Sequence, residues 1–332
     1  MSHFSRFMTS SAAAYRRSER AQQRKTREAA RQFKIQQRND AILNAVSAVK
    51  DYTNYINVLK SVHKEATDAV NWEAILDDTP PAAPIRTSQH QEEATRKQLA
   101  YKPGLIDKLF GSEKKKRQKL QQQAEAGRQK DETIYAEELK QFNADTEDFK
   151  KAQKIANGVL NKDISAYKDA IEFFEPYADI SELGTQVNLT FETDHANIIL
   201  YVNDGQVIPN FILSQTSTGK LSRKNMPATK FNELYQDYVC SCVLRVARET
   251  LAYLPVNFVV VNAVGTLFDS TTGYEDQKTI LSVVISPEKL DRLNLETIDP
   301  SDSMKNFTHH MQFNKSKGFT GITPINGNAL IQ

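Results

Sequence analysis

The two cysteines are the first candidates for chemistry, because a thiolate can act as a nucleophile or bind a metal ion. Cys240 and Cys242 are the only cysteines of the chain, and both lie in its most apolar stretch, residues 238–264. This stretch begins inside a predicted helix, where two residues advance by about 200°. The two sulfurs therefore point to different sides and can form neither a disulfide nor a joint metal site. We interpret both as buried core residues in a cytoplasmic protein.

A second candidate is the tetrapeptide STGK, residues 217–220, which is similar to the end of a phosphate-binding loop. In that motif the lysine contacts the nucleotide phosphates, an earlier glycine shapes the loop, and serine or threonine follows the lysine. Here the earlier glycine is missing and Leu221 follows. We interpret residues 216–225 as a basic loop, and we predict no cofactor.

Two carboxylates, Glu192 and Asp204, lie near the ends of predicted strands, where carboxylates could bind a metal ion for hydrolysis. The predicted order, a helix at 162–173, three strands, a helix and a strand, resembles the core of restriction-endonuclease-like nucleases. The resemblance implies an acidic residue on one strand and a (D/E)-x-K triplet on the next. The third predicted strand, residues 206–215, lacks this triplet. A degenerate nuclease is therefore an alternative, with Glu192 and Asp204 as weak candidates and no metal site predicted.

The stretch 265–278 joins two predicted inner strands and is longer than a hairpin turn requires. Loops carried by rigid strands are common positions for functional sites. The polar groups of this stretch are Asp269, Glu275, Asp276 and Lys278. An enzyme with its site at this loop is a further alternative to a simple solvated loop.

Charge gives the strongest functional signal. The whole chain has 43 Lys or Arg against 41 Asp or Glu, yet residues 1–38 hold ten Lys or Arg against two Glu. Clustered cations bind nucleic-acid phosphates by releasing counterions. A solvated arm and a charged protein partner are the alternatives. The residues predicted to contact nucleic acid are Arg16, Arg17, Arg20, Arg24, Lys25, Arg27, Arg31, Lys34, Arg38, Lys114, Lys115, Lys116 and Arg117.

The N-terminal half is predicted to be helical. Residues 10–66 contain no Gly or Pro, and apolar residues recur at three- and four-residue spacing from Ile42 to Val62. A second predicted helix, residues 113–157, carries a similar stripe from Tyr135 to Val159. We expect the two stripes to pack as an antiparallel, coiled-coil-like hairpin. The Pro-rich loop at 77–104 would connect them.

After Gly184 the apolar period changes to two, which predicts strands with one buried face. A helix at 229–254 and two continuous β-branched runs follow. The sequence thus predicts an α+β fold: a long-helix hairpin and then a compact β-β-β-α-β-β domain. The predicted divisions are a basic arm, helical or disordered, at 1–40, the helical hairpin at 41–160, and the α+β domain at 161–332.

Composition restricts the function. The mean hydropathy is −0.55 and 39% of residues are hydrophobic. No run approaches the roughly 18 apolar residues of a membrane span, so we predict none. We expect a cytoplasmic interaction or scaffold protein, a component of a multi-protein system, that binds itself or another chain through the helical hairpin. A nucleic-acid-associated protein using the basic arm and an enzyme are the alternatives.

Overall fold

A computed structural model describes residues 45–65, 67–104, 112–181, 185–202, 206–217 and 220–330. The basic arm predicted at 1–40 lies outside these ranges. Within them the chain forms two compact units, a first unit of residues 77–154 and a second unit of residues 45–76 and 155–330. The second unit therefore takes in residues 45–76, which the sequence assigned to the helical hairpin.

The fold class is α+β, as the sequence predicted. Of the helices in the described ranges, none has the length and apolar content needed to cross a bilayer. The α-helices are α1 (Ala45–Lys60), α2 (Trp72–Leu76), α3 (Gln89–Ala100), α4 (Glu113–Leu160), α5 (Ile164–Phe174), α6 (Ala178–Ser181), α7 (Ala228–Tyr253), α8 (Pro287–Asp291) and α9 (Pro300–Ser303). The strands are β1 (Gln186–Phe191), β2 (His195–Tyr201), β3 (Phe211–Gln215), β4 (Leu221–Asn225), β5 (Phe258–Asp269), β6 (Tyr274–Ile285), β7 (Thr308–Asn314) and β8 (Gly318–Thr320).

In the first unit, α3 runs antiparallel along the first half of α4. The carboxylate of Asp131 on α4 accepts hydrogen bonds from the backbone N–H groups of His90 (3.1 Å) and Gln91 (2.9 Å), at the start of α3. Gly127 permits this approach, because a Cβ there would lie 2.7 Å from the carbonyl oxygen of His90. Residues 89–100 are thus helical within the stretch predicted as a Pro-rich loop, and they contain no Pro or Gly.

The main sheet of the second unit has six strands in the order β1-β2-β5-β6-β7-β8. Strands β2 and β5 are parallel, whereas the other neighbours are antiparallel. The parallel pair needs a crossover, which the chain makes through the β3–β4 hairpin and α7. On β2, Ala196, Ile198 and Leu200 alternate toward the core shared with α7. The predicted period of two therefore marks a real buried face.

The predicted order β-β-β-α-β-β is incomplete. Residues 221–225, interpreted as part of a basic loop, form β4, which pairs with β3 as a separate two-stranded sheet. Two strands beyond β6 complete the main sheet. The five residues of β4, LSRKN, have only one strongly apolar member, so hydrophobic periodicity gives no strand signal there.

Helix α7 is the central element of this unit, and it lies within one residue of its predicted bounds. Both cysteines are free and fully buried, so their interpretation as core residues is confirmed. Burial raises the pKa of the Cys240 thiol well above its usual value. A thiol in that state is protonated and unreactive at neutral pH.

The apolar stripe of α1 packs inside the second unit. Tyr52, Tyr55 and Leu59 are buried, and the Tyr55 hydroxyl donates a hydrogen bond to the carbonyl oxygen of Val207 (2.5 Å). Helix α1 contacts α7 and the β3–β4 hairpin. The predicted hairpin between this stripe and residues 135–159 is not confirmed. A stripe at helical spacing fits any apolar surface, and here the C-terminal domain supplies it.

Four polar side chains cross α7 at four-residue intervals: Asp237, Ser241, Arg245 and Glu249. All four are buried, because residues 60–65 and Thr67 lie over them; we call this contact the polar seam. Lys60 Nζ lies 2.8 Å from the Asp237 carboxylate, and the guanidinium of Arg245 lies 2.8 Å from Glu249. Buried charges need such partners, so the seam fixes this segment on α7.

His63 lies at the centre of the polar seam, and both ring nitrogens are used. Nε2 lies 3.0 Å from the carbonyl oxygen of Leu295 and therefore carries the proton, whereas Nδ1 lies 2.8 Å from the Ser241 hydroxyl and accepts from it. Burial lowers the pKa of His63, because the charged imidazolium loses its solvation. The neutral ring is the folded form.

This arrangement predicts that the protein loses stability in mild acid. Below about pH 6.5 the unfolded chain binds a proton at His63 that the folded chain does not, so the free energy of unfolding falls by up to about 1.4 kcal/mol per pH unit. Urea titrations at pH 7.5 and 5.5 measure the free energy of unfolding, with the fluorescence of Trp72 as the signal. The His63→Gln variant is expected to lose this dependence, whereas the exposed His310→Gln keeps it. An equal dependence in all three proteins would contradict the assignment.

Residues 265–278, predicted as a loop, are mostly strand. Strand β5 continues to Asp269, and strand β6 begins at Tyr274. The two strands pair from Gly265–Lys278 to Asp269–Tyr274. Only residues 270–273 form the turn. The Thr, Leu, Phe and Tyr residues of this stretch favour strand once the pairing of the apolar bases of β5 and β6 brings them together.

Candidate nucleic-acid interface

The β3–β4 hairpin of the second unit carries exposed cations. Its strands pair from Phe211–Asn225 to Gln215–Leu221. Thr216 closes the turn, because its backbone N–H bonds the carbonyl oxygen of Lys220 (2.8 Å) and its hydroxyl accepts from the Lys220 N–H (3.0 Å). Lys220, the last residue of STGK, is followed by strand β4, whereas the lysine of a phosphate-binding loop is followed by a helix.

The hairpin is anchored at its open end. Phe211 is buried, and its ring lies 6.0 Å from that of Tyr52 on α1. The backbone N–H of Met226 bonds the carbonyl oxygen of Asn210 (2.9 Å). A surface on an anchored strand pair binds a ligand with a smaller loss of entropy than one on a free loop.

Four cations lie on or next to the hairpin: Lys220, Arg223, Lys224 and Lys230. All four are exposed, and the 22 residues 211–232 contain no Asp or Glu. The guanidinium of Arg223 lies 4.0 Å from the centroid of the Phe211 ring. This cation–π contact orients the guanidinium and leaves its N–H groups available to an anion.

The charge of the surrounding chain is opposite. Residues 155–332 hold 14 Lys or Arg against 20 Asp or Glu, so the hairpin is a local positive patch on an acidic region. Cations elsewhere in this unit pair with carboxylates, as Lys315 does with Glu233 (2.6 Å) and Lys305 with Asp302 (2.7 Å). Residues 211–232, which include the hairpin, contain no such carboxylate.

The residues predicted to bind nucleic acid divide into two groups. Arg16, Arg17, Arg20, Arg24, Lys25, Arg27, Arg31, Lys34 and Arg38 lie outside the described residues. Lys114, Lys115, Lys116 and Arg117 form an exposed cluster in the first turns of α4, in the first unit. Arg117 is partly neutralised there, because its Nε lies 2.9 Å from the carboxylate of Glu113.

The candidate nuclease residues do not form a site. Glu192 is exposed in the turn between β1 and β2, and Asp204 lies outside the described residues. The third strand of the chain belongs to the separate hairpin and not to the main sheet, so the strand order differs from the expected nuclease core. Within the described ranges, no three His, Cys, Asp or Glu side chains are grouped closely enough to bind a metal ion.

Sequence reasoning identified residues 216–225 as basic but did not assign them a role. The available signal was the complete absence of carboxylates from 211 to 232, inside an acidic region.

Fold and site together define an α+β protein with a basic, anchored β-hairpin. Comparisons with protein-family models, with curated proteins and with solved structures found no match to this chain.

Proposed function

We propose that this chain is a nucleic-acid-associated protein that binds the phosphate backbone through its β3–β4 hairpin. The observation that carries the proposal is the group of four exposed cations without a carboxylate in residues 211–232. A two-stranded ribbon fits the major groove of duplex DNA, and lysine and arginine bind phosphates without reading sequence. The proposal is therefore backbone binding that does not depend on sequence.

The other cationic residues would act as additional contacts. The cluster Lys114–Arg117 and the arm at 16–38 have the same chemistry, and their part in binding is a separate proposal. Association through the α1 stripe has less support, because Tyr52, Tyr55 and Leu59 are buried within the second unit. A place in a multi-protein system stays a proposal as well.

Binding is expected to weaken steeply with salt. Four phosphate contacts give a slope of about −3.6 in log K against log salt, so affinity falls about 100-fold between about 50 and 200 mM salt. Fluorescence anisotropy with a random-sequence DNA duplex measures the affinity at each salt concentration. The Lys220→Gln/Arg223→Gln/Lys224→Gln variant is expected to lose at least about tenfold in affinity and to show a slope smaller by about 2.7.

A matched control separates local contacts from net charge. The Lys168→Gln/Lys305→Gln/Lys315→Gln variant loses the same three charges, but these lysines pair with carboxylates elsewhere in the unit. It is expected to bind as the original chain does. Equal losses in both variants would overturn the proposal. Deleting residues 1–38 tests the arm: binding that disappears in this deletion and persists in the hairpin variant would assign the site to the arm.

A further inference from the structure

The β5–β6 extension is a second two-stranded projection of the second unit. Beyond Tyr201–Val264, β2 no longer pairs with β5, and β7 pairs with β6 only from Leu281 to Val284. Residues 266–277, which we call the ribbon, therefore pair only with each other in the described sheet. Among the described residues, no strand pairs with either outer edge of the ribbon, and an unpaired edge can accept another chain.

The tip of the ribbon is aromatic and acidic. Phe268 is 68% exposed and Tyr274 is 77% exposed, the highest values among the large apolar side chains described in the second unit. Glu275 and Asp276 follow directly and are also exposed. The pairing places Phe268 opposite Glu275 on one face of the ribbon, and Tyr274 and Asp276 on the other face. Each face of the tip therefore carries one exposed ring and a carboxylate, which suits an interaction surface.

The hairpin offers the complementary features. Leu221 is 45% exposed and lies between the cations Lys220 and Arg223. Each projection thus presents an apolar contact, and the two carry opposite charges. Complementary charges steer association and fix its orientation.

Both projections leave the same end of the main sheet. The N–H of Val202, just after β2, bonds the carbonyl oxygen of Val264 (2.9 Å), where the ribbon begins. On the other side of the hairpin, α7 starts within three residues of β4. The hydroxyl of Tyr235 on α7 would lie 3.3 Å from a Cβ at Gly265. The base of the ribbon therefore lies beside the segments that lead into and out of the hairpin.

We propose that two copies of this chain associate with the ribbon of each against the β3–β4 hairpin of the other. The partner is a second copy because the complement of the ribbon is present in the same chain. Such a contact is self-complementary and closes as a dimer. The contact surfaces are small and charged, so the dimer is weak and dissociates as salt rises. It goes beyond the proposed function and does not rest on it. Because both use the hairpin cations Arg223 and Lys224, nucleic acid and the partner copy compete for this surface.

Charge exchange tests the dimer in the full chain. Sedimentation velocity at low salt is expected to show a concentration-dependent dimer. Two variants each place like charges together in the dimer contact: Glu275→Lys/Asp276→Lys and Arg223→Glu/Lys224→Glu. The dissociation constant of each variant's dimer is expected to rise at least about tenfold. An equimolar mixture of the two variants is expected to recover the dimer, since the ribbon with reversed charge on one chain then meets the hairpin with reversed charge on the other. A Glu288→Lys/Asp291→Lys control, with the same charge change on α8, is expected to dimerise as the original chain does.

Three outcomes of these experiments would overturn the proposed dimer. A chain that is monomeric at every concentration, single variants that dimerise normally, or a mixture that stays monomeric would each overturn the proposal. Urea titration with Trp72 fluorescence verifies that all variants fold. The original chain tests the two proposals separately. If it binds DNA but forms no dimer at any concentration, only the dimer is rejected; if it forms dimers but does not bind DNA, only the proposed function is rejected.

Discussion

Replacing Arg245 by leucine is expected to lower the free energy of unfolding by about 3–5 kcal/mol, because the substitution leaves the Glu249 carboxylate buried without its cation. Arg245 is 3% exposed and Glu249 is fully buried, with 2.8 Å between their charged groups. Urea titration followed by Trp72 fluorescence measures the change. Trp72 is the only tryptophan, and its indole N–H bonds the carbonyl oxygen of Tyr253 on α7 (2.9 Å), so the signal reports the second unit.

A double variant distinguishes pairing from side-chain volume. The Arg245→Leu/Glu249→Leu protein removes both charges and is expected to be more stable than the single variant, because the Glu249 carboxylate is no longer left buried without the Arg245 guanidinium. It will not recover fully, since the N–H of Thr67 donates to Glu249 (3.1 Å) and loses this acceptor. The control is Arg292→Leu, which breaks an exposed pair with Glu288 at the same spacing and is expected to change little. Equal effects of Arg245→Leu and Arg292→Leu would show that the polar seam is not desolvated.

Replacing Leu59 by alanine is expected to cost about 2–5 kcal/mol, because the smaller side chain leaves a cavity in a packed core. Leu59 is completely buried in the cluster that includes Tyr55 and the apolar residues of α7. The same urea titration measures the loss.

The matched control for Leu59 is Val46→Ala on the same helix. Val46 is 55% exposed, so its truncation is expected to have little effect. If both substitutions are equally mild, α1 is not part of the second unit. A change of association state on Leu59→Ala without loss of stability would instead support the predicted role of this stripe in binding another chain.

The strand and helix patterns of the C-terminal half could be predicted because they depend on local periodicity. Helix α7 was placed within one residue at each end, and β1, β2, β5 and β6 start or end near their apolar runs. The site was harder to predict. Lys220, Arg223 and Lys224 lie on one projecting hairpin only because β3 and β4 pair apart from the main sheet, and neither strand reveals this pairing in its own pattern.

By itself, the sequence determined which faces are apolar, that the two cysteines are core residues, and where charge is concentrated. These properties follow from the residue types and their spacing along one element. Only the tertiary structure decided that α1 packs on α7, that the segment after α1 covers the polar row from Asp237 to Glu249, and that residues 265–278 extend a strand pair. An apolar stripe does not encode its partner, and a polar side chain is buried only where a distant segment supplies its hydrogen bonds and counter-charges.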